Sequence, residues 1–401
     1  RKLGRSRKKK KNKKKAKMTD VGGAAEEKTS HKRRLNLGEA TPFHLEVHPS
    51  KDLLAVATVQ GEVVLTELLE DLTFKEKARI KAHEESCRMV CYNRDGSKFY
   101  SCSADCAVSI GDTEKHKIQG SLKAAHTSGV NSMALYDGKM LITGDDEGFV
   151  SVWDARSGMK KIWSLEEHGD FVSEICCVEN KKTVLVTSGD GTLSTYDVRK
   201  GKVEAMSDPL DDELLCVLPV KNDTRVVCGA SSGALEIFEW GWFGLPCDRF
   251  LDHSESVDTL CVLDTSTICT GSSDGQVRIV SLYPNSLEGT VGEHDGPVEC
   301  VRVSPHSGHI ISCGHDNFVR VWIKNQDQEG EEEKSQETLE PSTSSGVEPQ
   351  EAGDKRRRGT TEADNSSDDE DSDDSPKVKK KKRRKKKRTG SKKKTIFFDG
   401  L

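Results

Sequence analysis

Five times along this chain of 401 residues a histidine is followed, 21 or 22 residues later, by an acid. The most complete sets are His294, Ser312 and Asp316, closed by Trp322, and His253, Thr270 and Asp274. His126 with Thr143 and Trp153, His83 with Asp105, and His168 with Asp190 extend the series. A hydroxyl beside a histidine that a carboxylate orients is the grouping acyl transfer uses, with the histidine as base and the hydroxyl as nucleophile. A hydrolase needs that grouping once. Its return at fixed spacing points to architecture instead, and the chain is expected to have no catalytic residues.

The elements that would hold these residues are clearest in Leu141 to Arg156, LITGDDEGFVSVWDAR, where an apolar strand, an acidic glycine turn and an alternating strand end in Trp153-Asp154. Two such strands cannot bury their faces alone, so copies must pack together. Glu147 falls in register with Asp105, Asp190, Ser232, Asp274 and Asp316, at successive spacings of 42, 43, 42, 42 and 42 residues, and Gln60 begins the series 45 residues before Asp105. Six residues after these anchors stand Thr66, Gly111, Trp153, Tyr196, Phe238, Val280 and Trp322. The first and fifth copies lack the upstream histidine.

Seven units of four strands, with a histidine ahead of a terminal Trp-Asp, resemble the WD-repeat propeller family over residues 32 to 325. The resemblance implies an all-β, seven-bladed ring. It also implies that the histidine bonds the turn acid and the strand hydroxyl while the tryptophan adds packing and a donor, so that the polar set stiffens the turn. Because the outermost strand of a blade comes from the next repeat in this family, the last blade needs one from the N-terminal side, and Arg33 to Leu37 is the expected donor.

Composition divides the chain further. Residues 1–17 carry 12 Lys/Arg and no acid, while residues 18–323 carry 30 basic and 48 acidic side chains, a balance of −18. Residues 1–31 are expected to be a disordered basic extension; lacking an initiator methionine before Met18, its start reads as upstream sequence or a fragment. Residues 326–376 read as an acidic, serine-rich linker. Residues 377–401 form a basic tail built on Lys377, Lys379, Lys380, Lys381, Lys382, Arg383, Arg384, Lys385, Lys386, Lys387 and Arg388. Such a block reads as a nuclear and nucleolar address, with sequence-blind, salt-sensitive RNA contact as a second role. Ser366 and Ser367 each have an acid three residues downstream, a pattern suited to acid-directed phosphorylation beside that block.

The 13 cysteines include no zinc-site pairing, and most sit among apolar strand residues, which favours a reducing compartment. No phosphate loop, HExxH or EF-hand pattern occurs, and no apolar run reaches membrane-span length, so neither cofactor, metal nor membrane contact is expected. Trp240, Trp242 and Phe243 crowd into the connection after the fifth repeat, either to anchor a partner or to fold back over that repeat's weak core. Residues 141–156 also resemble the box by which certain WD-repeat proteins dock on a cullin ubiquitin-ligase adaptor, with Asp146, Asp154 and Arg156 in matching places.

The poor first and fifth repeats, the WGWFG…DRF connection, the acidic serine linker and the terminal KKKTIFFDGL resemble the WD-repeat-containing protein 55 family from about Thr41 onward. That resemblance implies residence in the nucleus and nucleolus and work in ribosomal RNA processing and ribosome biogenesis without a catalytic site; the cytoplasm is a second expected location. A monomeric scaffold binding basic assembly factors or ribosomal proteins is the leading expectation. A substrate receptor of a cullin ligase is the alternative.

Overall fold

The computed structural model describes residues 33–323. They form seven four-stranded antiparallel sheets, spanning residues 42–81, 87–122, 130–166, 172–206, 214–251, 257–293 and 298–322, referred to as blades 1 to 7. Each innermost strand packs against the innermost strands of its two neighbours, and blade 7 returns to blade 1, so the sheets close into a ring around a channel. The basic extension before residue 33, the acidic linker with Ser366 and Ser367, and the lysine block lie outside the described residues.

Blade composition follows from what covers each strand. The second strands, such as Leu53–Thr58 (LLAVAT) and Thr183–Ser188 (TVLVTS), are covered on both faces and read as unbroken runs of apolar and small residues. The outer strands face solvent, and Lys117–Leu122 (KIQGSL) and Lys160–Glu166 (KKIWSLE) are correspondingly polar and exposed. Seven apolar clusters result, each drawn from two adjacent blades; Leu45, Leu54 and Val56 of blade 1, for example, meet Ile311, Val319 and Val321 of blade 7. No blade owns a whole core. Burying one such leucine contributes about 1.5–3 kcal/mol, so cohesion depends on the ring being shut.

The shutting strand is Arg34–Asn36, which pairs antiparallel with Phe318–Trp322 in the register Arg34↔Arg320, Leu35↔Val319 and Asn36↔Phe318. Two further bonds to the turn of blade 7 fix it: the Leu37 amide donates to the Asn317 carbonyl at 3.0 Å, and the Thr41 hydroxyl to Asn317 Oδ1 at 2.8 Å. That pairing covers an edge that would otherwise expose a row of unpaired backbone groups.

In all seven blades the pairing of the first and second strands slips by one residue near the start of the first strand. The residue left over is Phe43, Arg88, Asn131, Ser173, Leu215, Asp258 or Glu299, one for each blade. A bulge of this kind re-aims the unpaired side chain. All seven line a single cavity of about 650 Å³ at one mouth of the channel.

Candidate functional site

The triad-like sets were the first candidates for chemistry, and two blades assemble them fully. In blade 3, His126 Nδ1 lies 2.7 Å from Asp145, its Nε2 2.7 Å from the Thr143 hydroxyl, and Trp153 Nε1 donates to that hydroxyl at 2.8 Å. In blade 7, His294 is 2.9 Å from Asp316 and 2.7 Å from Ser312 Oγ, which accepts from Trp322 Nε1 at 2.8 Å. With a carboxylate on Nδ1, that nitrogen carries the proton and Nε2 accepts from the hydroxyl. The order of groups is that of an acyl-transfer triad, but a substrate has no way in. Thr143 and Ser312 have no exposed surface, and an indole N–H occupies the oxygen lone pair that would attack.

Several blades differ from the expected partners in detail, blade 3 included, while blade 2 keeps its expected pair. The acid in register in blade 3 is Glu147, yet the bond to His126 comes from Asp145, two residues earlier, and Glu147 turns to Thr127. In blade 4, Val186 occupies the place of the strand hydroxyl, so His168 bonds Ser194 of the third strand at 2.7 Å and Thr192 at 2.9 Å; Asp190 stands 3.7 Å off and holds Thr192 at 2.6 Å. In blade 6, His253 reaches Thr270 at 2.9 Å, but Asp274 is taken by Arg278 and Ser254, and His253 Nδ1 is buried without a partner. Blade 2 pairs His83 with Asp105 at 3.2 Å and with Ser101 at 2.8 Å, while Phe99 fills the space above Gly111, where a Cβ would come within 2.0 Å of its ring. In blade 5 the parts trade places across the turn: Asp212 of the loop accepts from the hydroxyls of Ser231 and Ser232.

The electrostatics agree with these contacts. Burial alone would raise the Asp145 carboxyl, but the His126 bond and the Phe149 and Glu147 amides outweigh it and hold the group below the ordinary carboxylate range. Asp316 is lowered in the same way, by His294 and Arg320 against burial. His253, lacking a carboxylate on Nδ1, is driven down to about 4 by burial and then by the Arg278 charge.

The aromatic connection splits between its two expected roles. Phe243 is buried in the core shared by blades 4 and 5, Trp240 stacks edge-on against it at 5.6 Å with Lys181 over its ring, and Trp242 is 78% exposed. The ligase-docking residues are not gathered in one place. Arg156 grips Asp154 through Nε and an Nη, both at 3.1 Å, whereas Asp146 is paired with Arg88 at 2.5 Å at the opposite end of the strand Phe149–Asp154. All 13 cysteines are free thiols, eight of them buried, and burial pushes Cys300 to about 11 and Cys176 to about 12. Among the described residues no cluster of three or more His, Cys, Asp or Glu side chains is placed to hold a metal ion.

Sequence reasoning missed Asp145, Ser194 and the seven bulge residues. The first two had a signal, a second acid and a second hydroxyl close to the chosen ones; a one-residue slip in strand pairing leaves none.

The profile of the WDR55 family matches residues 36–325. WD repeat-containing protein 55 of Mus musculus is 36% identical over 287 residues, covering 71% of this chain and 74% of the relative. That of Arabidopsis thaliana is 34% identical over 289 residues, covering 72% and 81%. The Drosophila erecta homolog is 31% identical over 275 residues, 69% of this chain and 55% of its own length. With the seven blades and a match spanning the whole ring, the chain belongs to the WDR55 family of WD-repeat proteins.

Proposed function

We propose that this chain is a non-enzymatic protein-interaction scaffold of the nucleolus, acting in ribosome biogenesis and ribosomal RNA processing. The observation that carries the reading is the division of charge: residues 18–323 hold a balance of −18, and residues 377–388 are almost entirely Lys and Arg. An acidic surface steers basic proteins such as ribosomal proteins and assembly factors toward it, and a cationic tail concentrates the chain where RNA phosphate is dense. Among the described residues the histidine, hydroxyl and acid sets are spent on blade turns, which supports a role in holding rather than reacting. Phosphorylation at Ser366 and Ser367 would place negative charge beside the lysine block and compete with RNA for it.

Deleting residues 377–394 tests the address: a tagged protein spreads out of nucleoli, and unchanged localisation overturns the role given to the tail. Cross-linking in intact nuclei tests the partners, with basic ribosomal or assembly proteins expected among those recovered. A second reading, docking on a cullin-ligase adaptor, is favoured by one feature, the exposed Arg156 guanidinium held in place by Asp154. Loss of a co-purifying adaptor on Arg156→Ala would select it.

A further inference from the structure

Two pairs of the free thiols stand directly opposite one another on neighbouring strands. In blade 6, Cys261 of the strand Val257–Val262 faces Cys269 of Thr267–Ser272; in blade 7, Cys300 of Val298–Val303 faces Cys313 of Ile310–Gly314. Opposed residues of an antiparallel ladder send their side chains to the same face, with Cα atoms about 4.5–5.5 Å apart. A disulfide bridges Cα separations of about 4.4–6.8 Å. Register alone therefore permits either bridge, and access and charge separate the two pairs.

Cys261 is 7% exposed and lines a cavity of about 380 Å³ within the channel, which shares Glu174 and Arg302 with the cavity at the mouth. A molecule little larger than water can follow that path. Cys269 has no exposed surface and packs with Cys261 among Val277, Val298 and Val301. The Cys269 thiol, donating toward the Cys261 sulfur, outweighs burial and together with the Arg302 charge brings the Cys261 thiol below the ordinary cysteine value. The remaining buried thiols all go up, Cys300 and Cys313 among them. Cys300 is also committed elsewhere, its S–H donating to the Leu45 carbonyl of blade 1 at 3.4 Å. Oxidation of a cysteine follows thiolate character and access, and a second thiol beside it can resolve the product.

We infer that Cys261 and Cys269 form a reversible modification site, in which a peroxide entering the channel oxidises the pair to a disulfide across the first two strands of blade 6. The Cys261 sulfur, having released its proton, attacks one peroxide oxygen; the O–O bond breaks, and the departing hydroxide takes up that proton as water. Cys261 is then a sulfenic acid. The Cys269 sulfur attacks the Cys261 sulfur, the S–O bond breaks, and hydroxide leaves with the Cys269 proton as a second water. Two thiols are oxidised and one peroxide is reduced, and a small dithiol reverses the change by exchange. The new bond ties together a blade in which His253 and Asp274 do not meet.

The test uses the full chain, reduced, freed of reductant and exposed to hydrogen peroxide in its folded state. Samples are then unfolded in guanidinium chloride containing N-ethylmaleimide, which caps every remaining thiol. From Phe250 onward the next Lys or Arg is Arg278, so trypsin releases both cysteines on one peptide, residues 250–278. That peptide is expected to lose both caps and to become lighter by two hydrogen atoms, while Cys300 and Cys313 stay capped. Dithiothreitol before unfolding should restore both caps. Cys269→Ser should halt the reaction at a sulfenic acid that dimedone captures on Cys261, and Cys261→Ser should leave Cys269 capped.

The exposed Cys247 serves as the internal reference for dose. Peptide 250–278 still carrying both caps once Cys247 is fully oxidised overturns the site. A bridge between Cys300 and Cys313 that forms as fast overturns it too, because the channel and Arg302 would then contribute nothing beyond register. Dimedone on Cys269 in place of Cys261 overturns the order of attack. Should a serine variant fail to fold, as its melting temperature reports, the peptide from the unaltered chain decides, since its mass and its recovery under dithiothreitol need no substitution.

Discussion

Blades 6 and 7 lie 42 residues apart and carry the same sequence of parts: His253, Thr270, Asp274 and Arg278 in one, His294, Ser312, Asp316 and Arg320 in the other. They are wired differently. Arg278 grips both oxygens of Asp274, at 3.1 and 2.6 Å, leaving none for His253. Arg320 takes only one oxygen of Asp316, at 2.6 Å, and is drawn also toward Asp295 and the Phe318 ring, so the other oxygen serves His294 at 2.9 Å. The aromatic position differs as well, with Val280 in blade 6 and Trp322, bonded to Ser312, in blade 7. Residue type and spacing therefore set which groups meet at a turn. Whether a forked cation binds with one prong or two decides which bonds form.

The largest effect expected from that contrast is at the shared carboxylate of blade 7. Asp316→Ala strips a partner from both His294 and Arg320 in a buried site, and breaking such a pair costs about 3–5 kcal/mol. Asp274→Ala costs clearly less, because His253 never had the bond; urea denaturation of the two variants side by side checks the order. Ser312→Ala comes next, at about 2–3 kcal/mol, since it orphans both His294 Nε2 and Trp322 Nε1, whereas Thr270→Val orphans one nitrogen and costs about 1–2 kcal/mol.

Acidification sharpens the same comparison. The folded pKa of His253, about 4, lies below its ordinary value of 6.5, so protonation favours the unfolded chain. Its contribution is complete above pH 6.5 and is lost as pH falls toward 4. His253→Phe should flatten the stability profile across that window; His44, His48 and His83, lowered in the same direction, keep some slope. Replacing Arg278 by Met should raise the His253 pKa, read by NMR titration, as Asp274 becomes free to face Nδ1. A variant in which that pKa stays near 4 would show that burial sets it and that the two-pronged grip adds nothing.

The smallest effect is expected at the blade 5 connection. Trp242→Ser should leave the melting temperature unchanged, while Phe243→Ala, at the next residue but inside the core of blades 4 and 5, lowers it measurably.

The ring was legible in the sequence because four strands and their turns consume a fixed length, and a 42-residue period survives even where His, Asp and Trp are lost. The closing strand was legible too, since a ring with one sheet short of a strand must recruit Arg34–Asn36 from somewhere upstream. Partner choice was not. Asp145 and Glu147 both stand in the turn of blade 3, and only the backbone path decides which carboxylate reaches His126. Val186 in place of a hydroxyl predicts a gap in blade 4, yet Ser194, reaching across from the third strand, fills it. The channel mouth was hidden for a different reason: Asp258 and Glu299 read as ordinary strand residues until the slip in pairing turns them toward the channel.

Native-state hydrogen exchange of the full chain tests most directly whether the repeated polar sets are structural members of one closed ring. The account predicts that the turn amides of Glu147 and Phe149 in blade 3 and Phe318 in blade 7 exchange only through global opening, while those of blades 5 and 6 near residues 231–234 and 274–276 exchange earlier. Exchange at the turns of blades 3 and 7 as fast as at blades 5 and 6 would contradict it.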